Sequence, residues 1–443
     1  MRVLGVALLI ALAAAAPIEA QPAPPPRAAV SPLIAQRAHD LIALINGGGD
    51  ATALFAPSFL AQVPESKVRE IAAQLVAQLG KATGVGAFTP ISPFASTLQT
   101  RFETGEATLN LTVMSEPPGQ ITGLWITNVQ SAALARLTTL ASVADAIRAL
   151  PGETGFIAAT INHPDAPLAS ANPDHPLAIG STFKLVILAE LVRAINAGER
   201  HWDDEIVLDG TERPAGAFMH TPAGTPVALR TLAEDMIKVS DNSATDVLIH
   251  TLGRERIEAM QTQVGLRQAA ANRPFLTTME AFKLKGVGQG ALGRRYLATD
   301  EPGRRALLAG EVAAVPASAI GALFADGQPV MIDRLEWFAS PADLVRVMMW
   351  LYRQRTTPGG AEALRILAIN PGPATALVSQ FGYIGYKGGS EPGVLSMTLL
   401  LRDKRGAATV ISASWNNSQA PVDELRFSSL IRHTAELIIA PAP

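Results

Sequence analysis

No cysteine occurs in the 443-residue chain, so neither disulfides nor thiolate metal sites are available and the redox compartment is left unmarked. The seven histidines are scattered, and none falls in an H-E-x-x-H or similar ligand spacing, so no metal is expected. Excess charge is missing too. The formal net charge is −3, and no basic stripe marks a nucleic-acid partner. The glycine-rich stretch 286–293 lacks the strand, loop and lysine of a phosphate loop, so it reads as a flexible insertion and no cofactor is expected. Long apolar runs are confined to residues 3–16, shorter than the roughly 20 residues a helical bilayer span requires. With Arg2 before that run and small residues before Gln21, residues 1–20 read as a secretory signal cut after Ala20. The mature chain is therefore expected to be exported, periplasmic or secreted, with no stable membrane span. Residues 21–32 (QPAPPPRAAVSP) form a Pro/Ala tether.

What is present is apolar material, 48% of the residues, enough for two or three domains. Residues 33–45 carry apolar side chains at helical spacing up to a triple glycine; residues 50–59 and 65–79 predict two further helices. The period then changes to alternation over residues 86–91, 97–103, 107–114 and 121–129, with Gly/Pro turns between. Three helices followed by a four-stranded antiparallel sheet define an α+β domain over 33–130. That element order resembles the cone-shaped ketosteroid-isomerase or nuclear-transport-factor fold. No convergent Asp/Tyr/His set accompanies it, so a structural or partner-binding role is expected.

The remaining chemistry collects in residues 140–440. Residues 177–197 (LAIGSTFKLVILAELVRAINA) predict an apolar helix with Ser181 at its mouth and Lys184 one turn on, hydroxyl and amine on one face. A serine there meets backbone N–H groups that favour negative charge, and a desolvated lysine can accept its proton. Two later stretches raise the meaning of that pair: Ser240-Asp241-Asn242 between two helical runs, and Lys387-Gly388-Gly389 between the strand-like 381–386 and 394–402. Strands at both ends of this region, with helices between, predict one antiparallel sheet with a helical subdomain inserted.

S-x-x-K, then S-D-N, then a K-[T/S]-G-like triplet resembles the signature of class A β-lactamases and penicillin-binding proteins. The resemblance implies an α+β and α/β chain whose second domain, 140–440, is a β-lactamase-like serine hydrolase. It implies Ser181 as nucleophile, Lys184 as its base, Ser240 as proton relay and Lys387 as positive charge beside it. Asn242, Gly389 and Ser390 would bind substrate, with the oxyanion between the N–H groups of Ser181 and Ser390. Asp241 would cap the next helix. The implied partner is a small amide or ester, a β-lactam or a cell-wall peptide.

Two departures matter. The E-x-x-L-N motif that supplies the deacylating glutamate is absent between Ser240 and Lys387, although residues 337–341 (WFASP) resemble the end of that loop. The extra length falls around residues 274–333, and Glu280 and Glu336 are the only substitutes for the missing base, each otherwise a solvated carboxylate. Second, Gly388 stands where the family carries a hydroxyl, removing a donor that Ser390 would partly replace. The domain order is similar to a two-domain β-lactamase-like protein of the clavulanic-acid cluster. Three functions follow as expectations: an exported acyl-enzyme hydrolase of β-lactam-like amides, a D,D-peptidase or carboxylesterase, and a non-catalytic cell-wall or penicillin binder.

Overall fold

The computed structural model describes residues 31–440, so the expected signal (1–20) and nearly all of the tether (21–32) lie outside the described residues. An amino-terminal layer opens with helix Pro32–Ile45, capped by Ser31 with Pro32 in its first turn, where the missing N–H costs nothing. The expected helix over 50–59 is instead two single turns, Ala51–Leu54 and Pro57–Leu60. Pro57 cannot donate into the first and so starts the second. Helix Glu65–Leu79 ends at Gly80 as its periodicity predicts. Strands β1 (Ala82–Ser92), β2 (Ala95–Phe102), β3 (Gly105–Val113) and β4 (Ile121–Ser131) follow as an antiparallel sheet in chain order. Alternate side chains such as Leu98, Leu109 and Leu111 pack with Leu41, Leu44 and Leu75 of the helices into one core.

The second layer system begins with helix Leu140–Arg148 and strands β5 (Glu153–Thr160) and β6 (Ala169–Ala171). A two-residue strand, β7 (Leu177–Ala178), leads into a 3₁₀ turn, Gly180–Phe183, and the helix Lys184–Asn196. Short β8 (Glu205–Val207) and β9 (Pro226–Ala228) pair with each other, and β10 (Phe338–Ala339) pairs with β7. Strands β11 (Tyr383–Glu391), β12 (Val394–Arg402) and β13 (Ala408–Asn416) complete a sheet ordered β11-β12-β13-β5-β6. The sheet is thus built from both ends of this region, as expected. Residues 286–293 are a helix end, a turn and the next helix start, not a loose insertion: Thr278–Gly286 and Ala291–Leu297 flank the turn, and Glu301–Leu307 follows. Leu284, Leu292 and Tyr296 are buried in the main core, which is what fixes them.

Helix Lys184–Asn196 is buried nearly all round, with Leu185, Ile187, Leu188 and Leu191 fully enclosed between sheet and helical subdomain. On the opposite sheet face lies the closing helix Glu424–Ile439, whose Phe427, Leu430 and Ile431 pack on the strands. The same helix carries the contact to the amino-terminal layer. Leu425 packs on that layer's core, Arg432 donates to the Val129 carbonyl, and Gln78 Nε2 donates to Asp423 Oδ1 at 3.3 Å.

Candidate active site

Two glycines bring the Ser181 turn against the edge strand. Gly180 has φ +45°, a left-handed value, and a side chain there would lie 3.0 Å from the Ser390 nitrogen. A side chain on Gly389 would meet the Ile179 carbonyl at 2.2 Å and the Ser181 nitrogen at 2.4 Å. Only glycine allows this approach, so the triplet 387–389 is part of β11 and not, as its composition suggests, a turn after a strand ending at 386. Ser181 therefore sits in a 3₁₀ turn, and the α-helix proper starts at Lys184.

Lys184 is fully buried. Its Nζ lies 2.6 Å from the Ser240 carbonyl, 2.8 Å from Asn242 Oδ1 and 3.2 Å from Ser240 Oγ. Burial draws its pKa down to about 7, against the opposing charges of Asp246 and Asp241. In all three contacts Nζ donates, the pattern of an ammonium; the neutral amine keeps two of these bonds and frees its lone pair to accept a proton. Among the described residues no hydrogen bond joins Nζ to Ser181 Oγ; the amine is turned toward Ser240. Ser240 has φ +60°, a strained value for a non-glycine residue, worth about 1–3 kcal/mol. That backbone holds its Oγ between two lysines, because Lys387 Nζ donates to it at 2.9 Å. Lys387 is buried too, and burial together with neighbouring Lys184 pulls its pKa well below the ordinary lysine range. Its Nζ also donates to the Gly388 carbonyl at 2.6 Å. Residues two apart on a strand point their backbone groups to the same side, so the Ser390 N–H faces that same edge.

Asp241 caps helix Asn242–Leu252, accepting from the Ala244 N–H at 2.7 Å and from Ser243 Oγ at 2.6 Å, as expected of it. Among the described residues neither Glu280 nor Glu336 hydrogen-bonds Ser181, Lys184, Ser240 or Lys387, and neither is the solvated carboxylate its sequence context suggests. Glu280 closes a capping box with Thr277 and pairs with Arg254 at 2.7 Å. Glu336 lies in a buried triad, 2.7 Å from Lys285 Nζ, which also meets Glu391 at 2.5 Å. Burial works against the charge on Lys285, but the two carboxylates outweigh it and raise its pKa. Burial, then Glu336, push Glu391 well above the usual carboxylate range.

Two residues here escape a reading of the sequence alone. Asp246 lies one helical turn after Asn242, so the i, i+4 spacing is the available signal. It is buried below Lys184 and accepts from Thr278 and Met279 of the next helix. Tyr386 is the second. A Cβ added to Gly388 would fall 2.0 Å from the Tyr386 hydroxyl, so the phenol fills the space of the side chain that Gly388 lacks. We expect Gly388→Thr to cost roughly tenfold or more in kcat/KM with intact Tyr386 and to be relieved by adding Tyr386→Ala. Steady-state assays of the single and double variants check this; an active Gly388→Thr single variant would contradict the steric account.

Ser181, Ser240, Asn242, Lys387, Ser390 and Tyr386 line one cleft of about 620 Å³. Among the described residues no group of three or more His, Cys, Asp or Glu could hold a metal ion, and no helix is long and apolar enough to cross a membrane.

The sequence model of the family described as "Beta-lactamase enzyme family" matches residues 139–421. Among solved structures, a β-lactamase from Sphaerobacter thermophilus is 19% identical, covering 68% of this chain and 97% of its own, with a TM-score of 0.48. A point mutant of PBP-A, in an acyl-enzyme complex with penicillin G, is 17% identical over 69% of this chain and 96% of its own, TM-score 0.46. A β-lactamase from Chitinophaga pinensis is 14% identical over 67% and 95%, TM-score 0.45. No curated protein matches.

Proposed function

The chain belongs to the beta-lactamase enzyme family, and from that premise we propose that this serine hydrolase is exported and cleaves β-lactam-like amides through an acyl-enzyme on Ser181. The observation that carries the reading is the hydrogen-bonded run Lys184–Ser240–Lys387 beside the Ser181 turn. In this mechanism neutral Lys184 takes the Ser181 proton as Oγ attacks the carbonyl carbon. The oxyanion is received by the N–H groups of Ser181 and Ser390. The C–N bond breaks as Ser240 gives its proton to the leaving nitrogen and is reprotonated by Lys184, which returns the base to its starting state. Water then cleaves the ester and frees Ser181. Asn242 holds Lys184 and faces the acyl side of the substrate. The apolar run at residues 3–16 supports the export reading.

A second reading is favoured by one observation: both candidate deacylating glutamates are bound elsewhere. With no such carboxylate, release from Ser181 is the slow step, and the enzyme behaves as a D,D-peptidase or carboxylesterase that β-lactams block. Turnover of nitrocefin and of a D-alanyl depsipeptide, by parent and Ser181→Ala, tests both. Parent turnover lost in Ser181→Ala is expected, with nitrocefin well below a typical enzyme turnover of roughly 10 per second. Nitrocefin turnover at or above that rate would remove the second reading. Activity kept in Ser181→Ala would remove both.

A further inference from the structure

We infer that the Ser181 cleft continues past the β11–β12 turn into a cavity walled by the amino-terminal layer, and that this cavity takes the far, amine-bearing end of an extended acyl chain. The inference rests on the hydrolase reading above and extends it to a substrate class. The second cavity measures about 560 Å³. Ser66, Lys67 and Glu70 of helix Glu65–Leu79 form one wall, residues 324–327 another, and Pro392 and Gly393 of the hairpin its base. It shares Ser390, Leu395 and Glu424 with the Ser181 cleft, so the two spaces adjoin.

The direction of the substrate follows from the order of groups along β11. Ser240 and Lys387, which serve the leaving group, stand at one end of the strand edge, and the oxyanion donor Ser390 stands at the other. β11 is the outermost strand of its sheet, so an extended chain can add to its free edge. A leaving group over Lys387 puts the acyl chain past Ser390, toward Pro392 and into the second cavity. The charges there select its far end. Lys67 is paired with Glu70 at 2.9 Å, and Glu391 is held by Lys285. Asp326 and Glu424 make no ion pair among the described residues; Asp326 accepts only from the Gln328 N–H. The uncompensated charge is negative, which suits a primary amine at the end of a peptide-like acyl group. A compact β-lactam would leave this space unused.

Two thioesters with the same leaving thiol test the idea, one acylated by acetylglycine and the other by lysylglycylglycine. Ser66 is exposed on the cavity wall, so Ser66→Trp fills the space without entering a core, and Asp326→Lys reverses the local charge. Each is expected to lower kcat/KM roughly tenfold on the lysyl substrate, through KM, and to leave the acetylglycyl substrate unchanged. Equal losses on both substrates, or no loss on either, overturn the inference. Binding of the lysyl thioester to Ser181→Ala, followed by calorimetry, separates this inference from the reading beneath it. If the parent cleaves neither thioester but Ser181→Ala binds the lysyl compound and Ser66→Trp abolishes that binding, the cavity assignment stands and the hydrolase reading falls. Binding that Ser66→Trp leaves unchanged, or no binding at all, overturns the cavity assignment even if both thioesters are cleaved.

Discussion

Lys184→Arg is expected to slow acylation of Ser181 about 10³-fold, within the range that a positioned proton acceptor contributes. Arginine cannot give up its proton, and it fixes a positive charge beside Lys387 where the working form of Lys184 is neutral, so the substitution removes the base. The parent supplies the matching pH dependence. With Lys184 drawn down to about 7 by burial, the neutral amine is the minority form below that pH and the majority above it. Acylation should rise through pH 7 and level off on the alkaline side. Stopped-flow acylation by a chromogenic cephalosporin, from pH 5 to 9, reads this limb. Glu280→Gln and Glu336→Gln should keep it in place, since neither carboxylate reaches the lysine. A limb that disappears in either glutamine variant, with Lys184→Arg still acylating, would make a carboxylate the base.

The second large effect is structural. Lys285→Met should cost about 3–5 kcal/mol of stability, because it strands Glu336 and Glu391 in a buried site without their cation. The loss carries a pH signature. Burial and Glu336 already raise the folded-state pKa of Glu391, so the folded state binds the proton more tightly than the unfolded chain does. Stability contributed by that proton is present below the unfolded carboxylate value and lost as pH rises through the folded one. Removing Lys285 raises that folded value further. Urea midpoints of Lys285→Met should therefore fall further behind the parent at pH 8 than at pH 5. Replacing all three residues by apolar ones of similar size should recover most of the loss. Activity should suffer with stability in the single variant. Glu391 follows Ser390 directly, and Glu336 precedes Trp337, which stacks on Phe183 of the Ser181 turn at 3.8 Å. A single variant as stable as the parent at both pH values would show that the triad clamps nothing.

What can be read from the chain, and what cannot, follows the range of each interaction. Ser181 and Lys184 are legible because one helical turn joins them, and Asp241 because a helix N-cap leaves a local pattern. The joining of Lys184 to Ser240 and of Ser240 to Lys387 is legible only through motif resemblance; the partners are 56 and 147 residues apart along the chain. The end of β11 is obscured because Gly388 and Gly389 look like turn residues. Their real reason is contact: one yields to the Tyr386 hydroxyl, the other to the Ser181 turn. The Lys285 triad leaves no local trace, since Lys285 is 51 and 106 residues from its two partners. The helices over 278–307 stay hidden because their amphipathic signal is weak and tertiary burial of Leu284, Leu292 and Tyr296 fixes them.

A covalent acyl group on Ser181 is the expected product, and mass spectrometry of the folded protein after mixing with benzylpenicillin detects it. One added penicilloyl group is expected on the peptide that contains Ser181, and none on Ser181→Ala. No adduct from benzylpenicillin, a cephalosporin or a thioester, or an adduct on any residue other than Ser181, would contradict it.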